Sequence, residues 1–335
     1  MSDQILLRVK DLKVHFPLPR PTLFAPQPVV HAVDGISFEA KRGTTFGIVG
    51  ESGSGKTTAA LSIMRLAPIT AGSVSLGDQE ISTLQGEELR TARRRMQIIF
   101  QDPYSSLDPR VRAQQIVREP MDLMRIGTPQ EREQRVADLF KKVGLRPEKR
   151  ALFPHQFSGG QRQRIGVARA LATQPELVVC DEPVSALDVA IQAQILNLLR
   201  DLQEEFGLTY LFISHDLGVV QYMCDEIAVM YLGQVVEQAG RLSLFRRPLH
   251  PYTWALFSAV PTADPELLKL KKAQRVRLQG APPSPIDLPT GCRFAGRCPF
   301  AQQRCREEAP SLRVIDGDHK VACHLVSDDG VPPFA

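Results

Sequence analysis

The sequence predicts an α/β protein with a mostly parallel sheet, a helical insertion and a small cysteine-containing extension at its C-terminal end. Three observations carry this. A buried run, Phe46-Gly47-Ile48-Val49, leads into the glycine loop Gly50-Glu51-Ser52-Gly53-Ser54-Gly55-Lys56-Thr57, and residues 57–66 then follow a helical pattern. A second apolar run, Leu177-Val178-Val179-Cys180, ends in the carboxylates Asp181 and Glu182. After about residue 240 the composition shifts to proline, arginine and cysteine. Strands that alternate with helices argue for parallel pairing.

The first strand signal covers residues 5–16, and the second covers 29–38. Between them lies a loop punctuated by Pro17, Pro19, Pro21, Pro26 and Pro28. From about 87 to 176 the chain is rich in charged helix formers, with no long β-type run after Phe100. This reads as a helical subdomain, about 87–170, inserted into an α/β core. The core resumes at Leu177, continues with a helix bearing Ile191, Ile195, Leu198 and Leu202 on one face, and adds a strand at 208–213 before Ser214 and His215. The expected division is a main domain at 5–245 and an extension at 246–335.

A chain of 335 residues can bury one large core plus an appendage. Apolar residues make up 43% and charged residues 23%, as in ordinary soluble proteins. A net charge of +4 is too slight to argue for nucleic-acid binding. The runs Arg93-Arg94-Arg95 and Lys269 to Arg277 read as solvated faces, and the second also suits an anionic membrane surface. No run approaches the roughly 18–20 apolar residues of a membrane span. The opening residues, Met1, Ser2, Asp3 and Gln4, lack the pattern of a signal peptide. A cytosolic setting with reduced thiols is expected.

The loop at 50–57 has the spacing of a phosphate-binding loop. Its glycines let backbone N–H groups converge on phosphate oxygens at a helix N-terminus. In that chemistry Lys56 reaches the β- and γ-phosphates and the Thr57 hydroxyl ligates Mg²⁺, with Thr58 beside it. An Asp-Glu pair after a strand most often caps a helix. After a phosphate loop in the same sheet, Asp181 is instead placed to hold Mg²⁺ and Glu182 to act as general base.

Four further short motifs follow in order: Gln101, Phe157-Ser158-Gly159-Gly160-Gln161, Ser185-Ala186-Leu187-Asp188 and His215. On these, residues 5–240 resemble the nucleotide-binding subunit of an ATP-binding cassette (ABC) transporter. The resemblance implies a P-loop NTPase fold, with a RecA-like core plus inserted helical subdomain, and an ATPase using ATP and Mg²⁺. It makes 157–161 the signature loop (whose first residue is usually Leu), Gln101 the Q-loop, 185–188 the D-loop and His215 the switch histidine. It further implies that two cassettes close head to tail, so that Ser158, Gly160 and Gln161 of one meet the γ-phosphate held by the other. His215 would contact the γ-phosphate of its own site. Gln101 would link Mg²⁺ to a transmembrane partner, and Phe16 is the candidate for stacking on adenine, packing in a core or edge strand being its other reading.

The run from Phe100 to Arg110, the sequence His250-Pro251-Tyr252-Thr253 and the cysteine tail together resemble the dipeptide/oligopeptide and nickel permease branch. That resemblance implies peptide import across the bacterial inner membrane by an assembly on its cytoplasmic face. Its partners would be a second, related cassette subunit, two permease subunits and a periplasmic solute-binding protein. Nickel and glutathione remain alternative cargoes.

The tail spacing is Cys292-x5-Cys298-x6-Cys305-x17-Cys323. Four thiolates in a loop-rich stretch suit a [4Fe–4S] cluster or structural Zn²⁺, with disulfides and unligated thiols as the other readings. The branch resemblance implies the cluster. Cys180 and Cys224 read as small buried hydrophobes. A non-transport cassette protein or a non-hydrolysing regulatory module fits less well. The chain shows one cassette, no long coiled coil, and intact Lys56, Asp181, Glu182 and His215.

Overall fold

The computed structural model describes residues 4–20, 22, 24, 26–102, 104–258, 280 and 283–334. Met1, Ser2, Asp3, Pro21, Pro103 and the basic run between Lys269 and Arg277 lie outside the described residues.

β1 (Ile5–Pro17) and β2 (Val29–Lys41) flank the proline-rich loop. β2 outruns its expected end because Ile36, Phe38 and Ala40 continue the inward alternation. β3 (Thr45–Val49) is buried throughout. α1 (Lys56–Ile63) stops short of Leu66 because Arg65 turns left-handed at φ 57° and the Leu66 and Ala67 N–H groups fold back onto Leu61 O. β4 (Ala71–Leu76) and β5 (Gln79–Glu80) form a small hairpin not expected from the sequence.

The next stretch holds α2 (Gly86–Arg94), β6 (Met96–Ile99), α3 (Ala113–Leu123), α4 (Pro129–Lys142) and α5 (Gly159–Leu171). α4 starts where Thr128 and Glu131 form a capping box with Pro129 in the first turn. β7 (Leu177–Asp181), α6 (Val189–Phe206), β8 (Thr209–Ser214), α7 (Leu217–Met223), β9 (Glu226–Tyr231) and β10 (Gln234–Gly240) follow. Then come α8 (Arg241–Arg246), α9 (Pro251–Ser258), α10 (Gln303–Glu307), β11 (Arg313–Asp316) and β12 (His319–Val321).

The chain divides into two compact units. One comprises Met1–Arg8, Glu39–Thr45 and Val74–Ser214. In it β6, β7 and β8 run parallel, with Met96 opposite Leu177 and Leu177 opposite Thr209. β6 therefore belongs to the sheet, although it falls inside the span expected to be helical. α3, α4 and α5 pack on one another, and α5 also packs on β6 and α6. The inward stripe of α6 is Ile195, Leu196, Leu199 and Leu202, with Ile191 and Leu198 only half-buried. The stripe is thus rotated slightly from the expected face. Arg95 corrects the reading of its run as a solvated face: its Nε donates to Glu176 Oε1 at 2.5 Å, and Arg42 Nη1 donates to the other oxygen at 2.6 Å.

The other unit comprises Val9–Phe38, Phe46–Ser73 and His215–Ala335. β3 runs parallel to β9, and β9 pairs antiparallel with β10. The tail then extends the sheet: β12 pairs with β10, placing Glu237 opposite Val321, and β11 pairs with β12. Leu249, Val321, Cys323 and Val326 form a buried cluster in this part. The fully buried Glu237 ties it down: Oε1 accepts from Leu249 N at 2.7 Å and lies 2.7 Å from His319 Nε2, and Oε2 accepts from His250 N at 2.9 Å.

Candidate active site

The phosphate loop is built by close backbone approach. A Cβ on Gly50 would sit 2.1 Å from Met230 O, and one on Gly55 2.0 Å from Ala32 O. Only glycine fits at either position. Gly55 is left-handed, at φ 100°, and no side chain caps α1, a terminus of the kind that receives anions. Lys56 is 5% exposed, and its Nζ donates to the carbonyls of Gly50 and Glu51, each at 2.9 Å. Ser54 is buried, whereas Ser52, Gly53 and Thr57 are exposed and Thr58 is half-buried. Ser54 O accepts from Gly233 N at 2.9 Å. Phe16 lies half-buried near the end of β1.

At the end of β7, Asp181 is buried and Glu182 turns left-handed at φ 47°. A non-glycine residue in that region stores strain, a feature that clusters at functional sites. The turn is held because Glu182 N donates to Ile213 O at 2.9 Å and Ser185 Oγ donates to Glu182 O at 3.1 Å. Gln101 Nε2 donates to Glu182 Oε2 at 2.9 Å, which brings together two residues 81 positions apart. Asp188 caps α6 by accepting from Ile191 N at 3.0 Å.

Phe157 is 3% exposed, so the departure from the usual Leu is a core-filling residue. Ser158 caps α5: its Oγ accepts from Gln161 N at 3.4 Å and Gln161 Oε1 accepts from Ser158 N at 3.2 Å. These side chains order the loop locally, and Ser158 is exposed. A Cβ on Gly160 would lie 2.5 Å from Ile191 Cγ2, so glycine is needed for the close packing on α6. His215 is exposed just after β8, and Asp216 caps α7 by accepting from Gly218 N and Val219 N. The phosphate loop, Phe16 and His215 therefore lie in one unit. Gln101, Asp181, Glu182 and the 157–161 loop lie in the other.

Residues far away in the chain hold the phosphate loop. Tyr252 Oη accepts from Glu51 N at 2.8 Å, and Arg297 pairs with the Glu51 carboxylate. His250 donates its backbone N–H to Glu237, and its Nδ1 accepts from Tyr252 N at 3.0 Å. Burial pushes its imidazole down to about 3, so it stays neutral and keeps that acceptor. The His-Pro-Tyr run was legible as a pattern, but its role depends on partners far away in the chain.

None of the six cysteines is in a disulfide. Cys180 and Cys224 are buried, and burial pushes the Cys180 thiol up. In the tail, burial likewise raises Cys292, and it raises Cys298 and Cys323 to about 11. Cys292 Sγ accepts from the N–H groups of Phe294 and Ala295, Cys298 from Phe300, and Cys323 from Leu325 and Val326. Among the described residues, the only His, Cys, Asp or Glu trio with ligand atoms all within 4.8 Å is His15, His31 and Asp34. No helix among the described residues is long and apolar enough to cross a membrane.

A glycine loop between strand and helix, together with a carboxylate pair ending a parallel strand, defines a P-loop NTPase. The family described as ABC transporter matches residues 33–185, and the oligopeptide/dipeptide transporter C-terminal region matches residues 236–305. The chain is 48% identical to the oligopeptide transport ATP-binding protein AppF of Bacillus subtilis over 328 residues, covering 97% of this chain and 99% of that one. It is 49% identical to a probable peptide ABC transporter ATP-binding protein, y4tS of Sinorhizobium fredii, with 97% and 91% covered. Among solved structures it is similar to the dimeric ATP-binding cassette MJ0796 bound to ADP and Pi. The TM-score there is 0.63 and the identity 28%, over 70% of this chain and 99% of that one. The chain belongs to the ABC transporter family and has the ABC ATPase cassette fold.

Proposed function

We propose that this chain is the ATP-hydrolysing subunit that energises import of dipeptides or oligopeptides, working on the cytoplasmic face of a membrane. The observation that carries the hydrolytic part is the 2.9 Å Gln101–Glu182 hydrogen bond at a strained strand end. It gives a carboxylate a fixed direction, as a general base acting on water requires. The loop around Lys56 fits ATP through its converging N–H groups, and Thr57, Asp181 and Gln101 are the residues that would hold Mg²⁺. His215 would sense the γ-phosphate and Phe16 would stack on adenine. Ser158, Gly160 and Gln161 would serve the nucleotide of a second cassette, here a related chain. Two permease subunits and a solute-binding protein complete the assembly.

The match to the oligopeptide/dipeptide C-terminal region and the peptide-transport names of the relatives support the cargo class. Uptake of labelled di- and oligopeptides in cells lacking this chain tests it. Loss of peptide uptake, with nickel and glutathione uptake intact, is the expected result. Unchanged peptide uptake overturns it.

The tail thiols fit an iron–sulfur group better than a preformed zinc cage. Zn–S bonds of about 2.3 Å put tetrahedral sulfurs about 3.8 Å apart, and no three tail sulfurs come within 4.8 Å of one another. A cluster spreads its thiolates wider and is tuned by N–H donors to sulfur. Such donors reach Cys292, Cys298 and Cys323, and Cys305 lies within the electrostatic reach of Cys292 and Cys298. These four residues would hold a [4Fe–4S] cluster, which would supply a rigid tie between tail segments. Iron content that survives changing all four to serine overturns this.

A further inference from the structure

The loop between Cys292 and Cys298 belongs to the same unit as the phosphate loop, and three of its side chains reach other segments of that unit. Arg293 Nη1 donates to Leu232 O at 2.5 Å, and its Nη2 pairs with Asp34. Phe294 is 1% exposed and lies among Tyr231, Tyr252 and His250, with ring centroids 5.3, 5.4 and 5.7 Å away. Arg297 makes a two-pronged bridge to Glu51: Nη1 to Oε2 at 2.7 Å and Nη2 to Oε1 at 3.1 Å. Its side chain is 8% exposed.

Glu51 is thus gripped twice from outside its own loop, at its carboxylate by Arg297 and at its N–H by Tyr252 Oη. Its carbonyl in turn accepts from Lys56 Nζ. An unpaired carboxylate at this position would stand beside incoming phosphate charge and repel it. The bidentate fork both neutralises that carboxylate and fixes its direction.

We propose that Arg297 and Tyr252 are positioning residues for the nucleotide, holding Glu51 so that the phosphate loop accepts anions, and that the cysteine loop thereby sets nucleotide affinity. The inference rests on reading residues 50–57 as the ATP site. Arg297 directly precedes Cys298, so a rearrangement at that sulfur moves the guanidinium. The arrangement couples the tail to nucleotide binding without any tail residue touching the nucleotide.

Equilibrium binding of MgADP to the purified full chain tests this. Arg297→Ala is expected to weaken binding at least tenfold, and Tyr252→Phe several-fold. The double variant Glu51→Gln/Arg297→Ala is expected to recover to within about threefold of wild type, because no carboxylate is left to repel phosphate. Cys298→Ser is expected to weaken binding in the wild-type background and not in that double variant. In ATP hydrolysis the single variants are expected to raise KM with kcat held within twofold. Arg297→Ala binding within twofold of wild type, or a double variant as weak as Arg297→Ala, overturns the inference. If Arg297→Ala does not fold, Arg297→Lys and Tyr252→Phe carry the test, and wild-type affinity in both overturns it. A wild-type chain that binds no MgADP overturns the ATP-site reading, and the inference with it.

Discussion

Gln101 and Glu182 meet through a single 2.9 Å hydrogen bond, amide nitrogen to carboxylate oxygen, across 81 residues of chain. The amide orients the carboxylate. On the proposed role, Glu182→Gln removes the general base while keeping the shape. Turnover is expected to fall about 10²–10⁴-fold, with ATP binding retained, as measured by steady-state hydrolysis and nucleotide binding. Hydrolysis at the wild-type rate would sink the role given to Glu182.

The glycines of the phosphate loop are not equivalent. Gly50→Ala and Gly55→Ala drive a Cβ into the carbonyls of Met230 and Ala32. Both are expected to abolish nucleotide binding and lower the melting temperature. Gly53 has a positive φ of 79° but open space around a Cβ. Gly53→Ala is expected to cost about 1–2 kcal/mol in folding and to keep binding. Equal losses at all three positions would contradict this.

Glu237 holds the tail through two backbone N–H groups and His319. Glu237→Ala leaves these donors buried without their acceptor, at a cost of roughly 3–5 kcal/mol. Denaturant unfolding is expected to show that loss. A change under about 1 kcal/mol would mean that Glu237 is not the tie it looks to be.

Glu176 supplies a pH dependence. The Arg95 hydrogen bond, opposed by partial burial and helped by Arg42, holds its carboxyl below the ordinary range. A depressed carboxyl stabilises the fold above its unfolded pKa, about 4.3, and the contribution is lost as pH falls through the lower folded value. Between pH 6 and 3, Arg95→Ala is expected to lose stability less steeply than wild type. Parallel curves would remove Glu176 from the acid response.

Signals local in sequence carried much of the fold. The loop at 50–57 and the run ending in Asp181-Glu182 announce themselves because glycine spacing and an apolar strand are short-range patterns. The end of α1 was misplaced because Arg65 adopts a left-handed turn that no composition marks. The α6 stripe was read one step off, since which face is buried depends on α5 packing beside it. Arg297 and Glu51 lie 246 residues apart, so only tertiary structure joins them. β11 and β12 were missed because strands of four and three residues carry too little alternation to register.

The added hairpin also changes what the sheet offers to its surroundings. Without β12, the seven-residue β10 would be an open rim of unpaired N–H and C=O groups, ready to recruit another chain. With the hairpin in place, the outermost strand is the four-residue β11, which carries Arg313 and Asp316 and slips register between Val314 and Asp316. A short, charged, irregular rim is a poor template for aggregation. A chain cut after Ser258 would regain the long rim, so the tail doubles as a solubility guard for the cassette that it completes.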